Sequence, residues 1–185
     1  TMTQTAQAAQ TTQTVQATQA AHKTAIIDVG GGYRAIFGAG VLDRCLEDGI
    51  TFDSCYGVSA GSANLTSFLA GQHGRNHTFY TQYAFRKEYA STENFLKDRN
   101  FVDLDYVYST LSNHDGENPL DYEAFLGNPA KFTVVACDAR DGSTKYFTRS
   151  DMGYESIDPI KASSSVPVAN EPYVIDGVPY YDGGI

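Results

Sequence analysis

The pentapeptide Gly57-Val58-Ser59-Ala60-Gly61 places a serine between two glycines, after a strand-like run over residues 52–58 and before a helix-like run over residues 60–70. A strand that turns at once into a helix strains its backbone at the turn, so the flanking positions must be nearly free of side chain. Such a turn exposes the hydroxyl at a helix N-terminus, where N–H groups and the helix dipole stabilise negative charge. The pattern therefore predicts a nucleophile elbow, with Ser59 as the nucleophile.

The positions of the histidines argue against an ordinary catalytic triad. An α/β-hydrolase triad runs serine, acid, histidine along the chain. No histidine follows His114, and an acid and a histidine before it would leave too little chain for the remaining strands. We therefore expect a carboxylate to act directly on the serine. His73 and His77 share helical spacing, but no acid nearby completes a metal site, so we expect surface histidines and neither a metal nor a cofactor.

Asp182-Gly183-Gly184 is the strongest source of that carboxylate. It follows a short aromatic strand over residues 178–181, and two glycines after an acid let the backbone approach a neighbouring loop. A plain turn is the alternative interpretation. Asp138 ends another predicted strand, over residues 131–139, and is an alternative acid. A turn carboxylate before Asp141 is the favoured interpretation of that residue.

A glycine-rich loop, Gly30-Gly31-Gly32-Tyr33-Arg34-Ala35, follows a buried strand over residues 24–29 and precedes a helix over residues 36–48. Consecutive glycines in this position present N–H groups in a concave nest that binds anions. A dinucleotide or phosphate loop is one interpretation, but Asp53, near the spacing of a ribose-binding acid, begins its strand instead of ending it. The favoured interpretation is an oxyanion hole for Ser59, with Arg34 supporting the loop or the developing charge.

These three motifs, in this order and spacing, resemble the patatin-like phospholipases over about residues 25–185. The run Lys161-Ala162-Ser163-Ser164-Ser165-Val166-Pro167 and the hairpin before Asp182 also resemble the segment that this family places ahead of its catalytic aspartate. The resemblance implies Ser59 as nucleophile and Asp182 as general base. It also implies an oxyanion loop, formed by Gly30, Gly31, Gly32 and Arg34.

The fold expected from the alternation of strands and helices is α/β, a three-layer α/β/α sandwich with a mostly parallel central sheet. The chain departs from the family pattern at Ala35, where the loop usually has glycine. Family domains also generally continue past the Asp-Gly-Gly motif, so we expect that the C-terminal part of the domain is missing. An aromatic-rich helical stretch over residues 79–108 is either a lipid-facing wall or lid, or ordinary core.

The function that the resemblance implies is a phospholipase A-type serine acyl hydrolase, which cleaves lipid esters through a Ser–Asp dyad. A second hypothesis is a catalytically inactive or truncated domain that acts as a binding or interaction module. A third is nucleotide binding through the glycine loop, for which we expect no support.

Composition narrows the partners of the chain. A net charge of −9 without a basic run argues against nucleic acid. No apolar segment approaches the roughly 18 residues of a membrane span, so lipid contact would be peripheral.

Residues 1–23, rich in Thr, Gln and Ala, form an expected disordered tail without signal-peptide features, before a domain over residues 24–185. Three isolated cysteines fit a reducing compartment, and we expect a cytoplasmic protein.

Overall fold

The computed structural model of the chain describes residues 23–185. The disordered tail expected over residues 1–23 lies outside the described residues except for Lys23. The strands are β1 (Ala25–Asp28), β2 (Ser54–Val58), β3 (Lys131–Asp138), β4 (Thr144–Thr148), β5 (Tyr173–Ile175) and β6 (Val178–Asp182). The helices are α1 (Ile36–Glu47), α2 (Ala60–Leu69), α3 (Arg75–Thr81), α4 (Thr92–Asp98), α5 (Tyr122–Gly127) and α6 (Asp158–Ser163). Short turns of other helical types span Gly32–Ala35, Tyr83–Phe85, Tyr106–Thr110 and Arg149–Asp151.

The six strands form one sheet in the order β1-β2-β3-β6-β5, and β4 pairs with β3. The β1–β2 and β2–β3 pairs are parallel, whereas β4 and β6 run antiparallel to β3 and β5 runs antiparallel to β6. Strands β1, β2, β3 and β5 therefore share one direction. The predicted α/β class with a mostly parallel central sheet is confirmed.

Strand β3 brings the C-terminal ends of two other strands together on one of its edges. It pairs with β2 and β4 at residues 133–135, and with β6 and β4 at residues 136–137. Because β4 occupies one edge of β3 over both stretches, β2 and β6 must share the other edge, end to end. Val58 of β2 pairs with Val135, and Asp182 of β6 pairs with the next residue, Ala136.

One face of the sheet is buried beneath helices α2 and α6, which contact its central strands. Side chains on this face include Cys55, Phe132 and Val134, each at most 2% exposed. The register places Ile27 and Tyr56 on the opposite face of the sheet, where the side chains are more accessible to solvent. The alternation of burial along β3 follows from the strand period of two.

The aromatic-rich stretch over residues 79–108 is not the continuous helical segment that the sequence predicted. It contains the end of α3, a 3-10 turn, α4 and the start of a π-helical turn. Arg99 ends α4 in the left-handed conformation, with φ of 61°. An antiparallel bridge between Ala90 and Val102 closes the loop that carries α4. Aromatic spacing alone did not reveal these breaks, because neither glycine nor proline marks them.

Candidate active site

Ser59 lies at the junction of β2 and α2 with φ of 55° and ψ of −137°, a conformation that non-glycine residues rarely adopt. It is the N-cap residue of α2, yet its side chain makes no capping hydrogen bond, so the hydroxyl remains available. Ser59 is 9% exposed and lines a pocket. A Cβ on Gly57 would lie 2.4 Å from Cα of Ser62, and one on Gly61 would lie 2.2 Å from the carbonyl oxygen of Asp28. Close backbone approach therefore explains both glycines of the motif.

The glycine loop packs directly against this elbow. Gly30, Gly31 and Gly32 all have positive φ, at 69°, 114° and 60°. A Cβ on Gly30 would lie 2.5 Å from the carbonyl oxygen of Val58, so the loop and the serine turn are in backbone contact. The exposed side chain of Arg34 folds back on the loop, where its Nε donates to the carbonyl of Gly31 at 3.4 Å.

Asp28, the last residue of β1, ties the loop to α2, a role that the sequence interpretation missed. Its Oδ1 accepts from the N–H of Gly30 at 3.0 Å, and its Oδ2 accepts from Nδ2 of Asn64 at 3.0 Å. The same Asn64 amide donates to the carbonyl of Ala35 at 2.9 Å. An acidic residue at a strand end, two positions before a glycine loop, was the available signal.

Asp182 ends β6, is 6% exposed, and lies next to the end of β2 in the register described above. Its Oδ1 accepts from the N–H of Gly184 at 2.7 Å. A Cβ on Gly183 would lie 2.1 Å from the carbonyl oxygen of Val135, so this glycine too is required by backbone contact. Within residues 23–185, no hydrogen bond joins the Ser59 hydroxyl to the Asp182 carboxylate. The fold thus brings the two residues to neighbouring strand ends without closing that contact.

The serine-rich segment that begins at the last residue of α6 links the two strand ends. The backbone N–H of Ser59 donates to Oγ of Ser163 at 2.8 Å, and that hydroxyl donates to the carbonyl of Val135 at 2.5 Å. Two residues later, the carbonyl of Ser165 accepts from the N–H of Asp182 at 2.8 Å. Ser163 and Ser165 are both fully buried. One short segment therefore holds the backbones of both predicted catalytic residues.

Asp138, the alternative acid, is engaged elsewhere. Its carboxylate accepts from the backbone N–H and the guanidinium of Arg140, at distances of 2.7–3.0 Å. The guanidinium and the backbone N–H lower the pKa of Asp138 to about 2. A carboxylate stabilised in its charged form is a poor base, which agrees with the turn role expected for this residue.

A pocket of about 160 Å³ opens beside Ser59 and runs along α2. Ser59, Ala63 and Thr66 line it in turn on that helix. Residues from the aromatic-rich stretch form much of the remaining wall: Phe79, Tyr80, Tyr89, Val102, Leu104, Val107 and Tyr108. Burial raises the pKa of the Tyr80 and Tyr108 phenols, so both stay neutral. The same stretch also contributes to the core, because Phe79, Tyr83 and Val107 form a buried cluster with Leu111.

No helix in the described part of the chain has the length and apolar character needed to cross a membrane.

A strand-turn-helix serine beneath a glycine loop, on an α/β sheet, defines the class to which this site belongs. A model of the patatin-like phospholipase family matches residues 29–185. The chain is a member of the patatin-like phospholipase family. This confirms the resemblance found in the sequence motifs.

Two similar proteins place the chain among its relatives. The uncharacterized protein YjjU of Escherichia coli (strain K12) is 33% identical over 168 residues, which cover 88% of this chain and 46% of YjjU. The crystal structure of VipD from Legionella pneumophila matches with a TM-score of 0.58 at 15% identity, over 89% of this chain and 46% of VipD. The second likeness confirms the patatin-like fold. The chain spans less than half the length of either protein.

Proposed function

We propose that the chain is a serine acyl hydrolase that cleaves ester bonds of lipids, with Ser59 as nucleophile and Asp182 as proton acceptor. The observation that carries the proposal is the register on β3, since the strand ending before Ser59 and the strand ending at Asp182 meet on one edge. Family membership supports acyl ester chemistry. The apolar pocket beside Ser59 suits an acyl chain.

In the proposed reaction, Asp182 takes the proton of the Ser59 hydroxyl while Oγ bonds to the ester carbonyl carbon. The tetrahedral oxyanion then collapses, and the alcohol leaves with the proton that Asp182 held. Water, deprotonated by the same carboxylate, attacks the acyl-serine. The acid is released as the proton returns to Ser59. Nucleophile and base thus alternate without a histidine.

The oxyanion donors in this proposal are the N–H groups of Gly31, Gly32 and Ala60. The N–H of Gly30 is already bonded to Asp28, and that of Ser59 is bonded to Ser163. Ala60 begins α2, where the helix dipole adds to the stabilisation of negative charge. Arg34 contributes by donating a hydrogen bond to the Gly31 carbonyl, which supports the loop.

Contact with a lipid surface is also part of the proposal. Val166 lines the pocket and is 43% exposed, and Val168 is 91% exposed. Exposed apolar side chains on a segment that lines the pocket at Val166 suit extraction of a substrate from a bilayer surface.

The test uses a fluorophosphonate probe and p-nitrophenyl acyl esters. Ser59→Ala should lose both labelling and hydrolysis, whereas Ser150→Ala, at an exposed serine away from the pocket, should retain both. Mass spectrometry of the labelled chain should place the probe on Ser59. Hydrolysis that persists in Ser59→Ala would overturn the mechanism, and a wild-type chain that neither reacts nor turns over would favour the binding-module hypothesis.

A further inference from the structure

Arg75, the first residue of α3, points its guanidinium into the protein toward neutral partners. Nη1 donates to Oγ of Ser67 at 2.9 Å, while Nη2 donates to Oγ of Ser112 at 2.8 Å and to the carbonyl of Asn118 at 3.0 Å. The guanidinium carbon lies 4.6 Å from the centre of the Phe79 ring. These contacts fix the group firmly, but none of them brings a negative charge.

The charge of Arg75 has no counter-ion among residues 23–185. None of the ion pairs there includes it, and its Nε is buried without a hydrogen-bond partner. Burial lowers the pKa of the guanidinium to about 10. By contrast, the buried Lys161 has Asp105 at 2.6 Å and Asp158 at 3.3 Å. Arg75 is partly buried, and a cation withdrawn from water is costly unless it is paired, so an anionic group of a ligand would be stabilised next to it.

Arg75 lines the same pocket as Ser59. The hydrogen bond from Arg75 to Ser67 gives the distance between the guanidinium and Ser59. Ser59 is the N-cap residue of α2, and Ser67 lies eight residues later, near the end of the helix. At 1.5 Å per residue, the guanidinium lies about 12 Å along the helix from the nucleophile. The wall between them is largely apolar and includes Ala63, Phe79 and Val107.

We propose that Arg75 is a specificity-determining subsite that binds a carboxylate at the far end of the acyl chain whose ester bond Ser59 attacks. The proposal rests on the proposed function and names its substrate class, the esters of ω-carboxylated acyl groups. Of the roughly 12 Å between Ser59 and the guanidinium, a hydrogen bond from Arg75 to the carboxylate takes about 3 Å. The remaining distance of about 9 Å matches an extended chain of about eight carbons. The apolar wall contacts the methylene groups, and the guanidinium pairs with the terminal charge.

The first experiment compares two substrates of equal length on the wild-type chain: the p-nitrophenyl monoester of suberic acid and p-nitrophenyl octanoate. We expect kcat/KM to favour the carboxylated ester by about tenfold or more, as for a hydrogen bond to a charged group. Arg75→Gln should abolish the preference, and Arg75→Lys should keep part of it. Arg149→Gln is the matched control, because Arg149 also has an unpartnered buried Nε and stacks on an aromatic ring, Phe125, outside the pocket.

A second experiment measures binding without turnover. Free suberate should raise the Tm of Ser59→Ala, and this shift should vanish in the double variant that combines Ser59→Ala with Arg75→Gln. Octanol has the same chain length without a charge, so its effect on Tm should be equal in the two proteins.

If Arg75→Gln fails to fold, two measurements still test the proposal. They are the ratio of kcat/KM for the two esters on the wild-type chain and the rise in Tm that suberate causes in Ser59→Ala. Equal rates on the two esters, with hydrolysis still dependent on Ser59, would overturn this subsite and leave the hydrolase intact. A suberate shift that survives in the double variant would overturn it as well.

Discussion

The two ends of the pocket are held in place by different parts of the polypeptide. At the end next to Ser59, where we propose that the reaction takes place and which we call the reacting end, the backbone sets the geometry. It does so through three glycines at positive φ, a strained serine and close contacts at Gly57 and Gly61. At the far end, side chains do so, with Arg75 held by hydroxyls and an aromatic ring. Backbone constraints tolerate almost no substitution, whereas a side-chain wall can change size and polarity one residue at a time. The comparison suggests that the first end determines the reaction and the second selects the substrate.

The largest effect should come from the acid at the reacting end. Asp182→Asn should lower kcat by about 10³-fold, because general base catalysis typically contributes 10²–10⁴-fold. Asp138→Asn is the matched control: it also ends a strand, is 7% exposed against 6% for Asp182, and is engaged with Arg140. Continuous ester assays on both variants measure the difference. Equal losses in the two would remove Asp182 from its proposed role.

The next effect tests backbone contact at the elbow. Gly61→Ala would place a Cβ 2.2 Å from the Asp28 carbonyl oxygen, so α2 must move away from β1. We expect the free energy of unfolding to fall by about 3 kcal/mol, with loss of activity. Gly40→Ala in α1, where no atom beyond the local helix backbone lies within 4 Å of the new Cβ, should instead raise it by about 0.5–1 kcal/mol. Chemical denaturation of both variants is the measurement, and a neutral Gly61→Ala would refute the close approach.

The same contrast explains what could be read from the sequence. The elbow, the glycine loop and Asp-Gly-Gly were predictable because each constraint acts within a few residues and demands glycine. Ser163 was not assigned its role, because its partner Ser59 is 104 residues away. Arg75 was missed for the same reason, since Ser112 lies 37 residues further on. Long-range contacts between ordinary polar residues leave no local pattern, so the sequence could indicate the glycine-bounded turns but not the contacts of Ser163 and Arg75.

A smaller effect should separate two adjacent serines. Ser163→Ala removes the partner of the Ser59 N–H and the Val135 carbonyl, both held by its fully buried hydroxyl. Unsatisfied buried groups cost about 1–3 kcal/mol, and we expect a loss of that size in unfolding free energy together with a lower kcat. Ser164→Ala removes only a 3.3 Å contact with the Tyr108 hydroxyl on the pocket side. Thermal unfolding and kcat should barely change in that variant, and equal effects would mean that Ser163 has no special link to the elbow.

The smallest effect belongs to the pocket wall. Ala63 is partly exposed, lines the pocket one turn after Ser59, and can be enlarged without touching the glycine contacts. Ala63→Leu should shorten the acyl chain that the pocket accepts, and each methylene excluded should cost about 0.8 kcal/mol, or about fourfold in kcat/KM. Activity on p-nitrophenyl acetate should stay near that of wild type, because that acyl group ends before the obstruction. A uniform loss across p-nitrophenyl esters of increasing length would show that Ala63 affects the reacting end instead, and the two ends of the pocket would then not be separable.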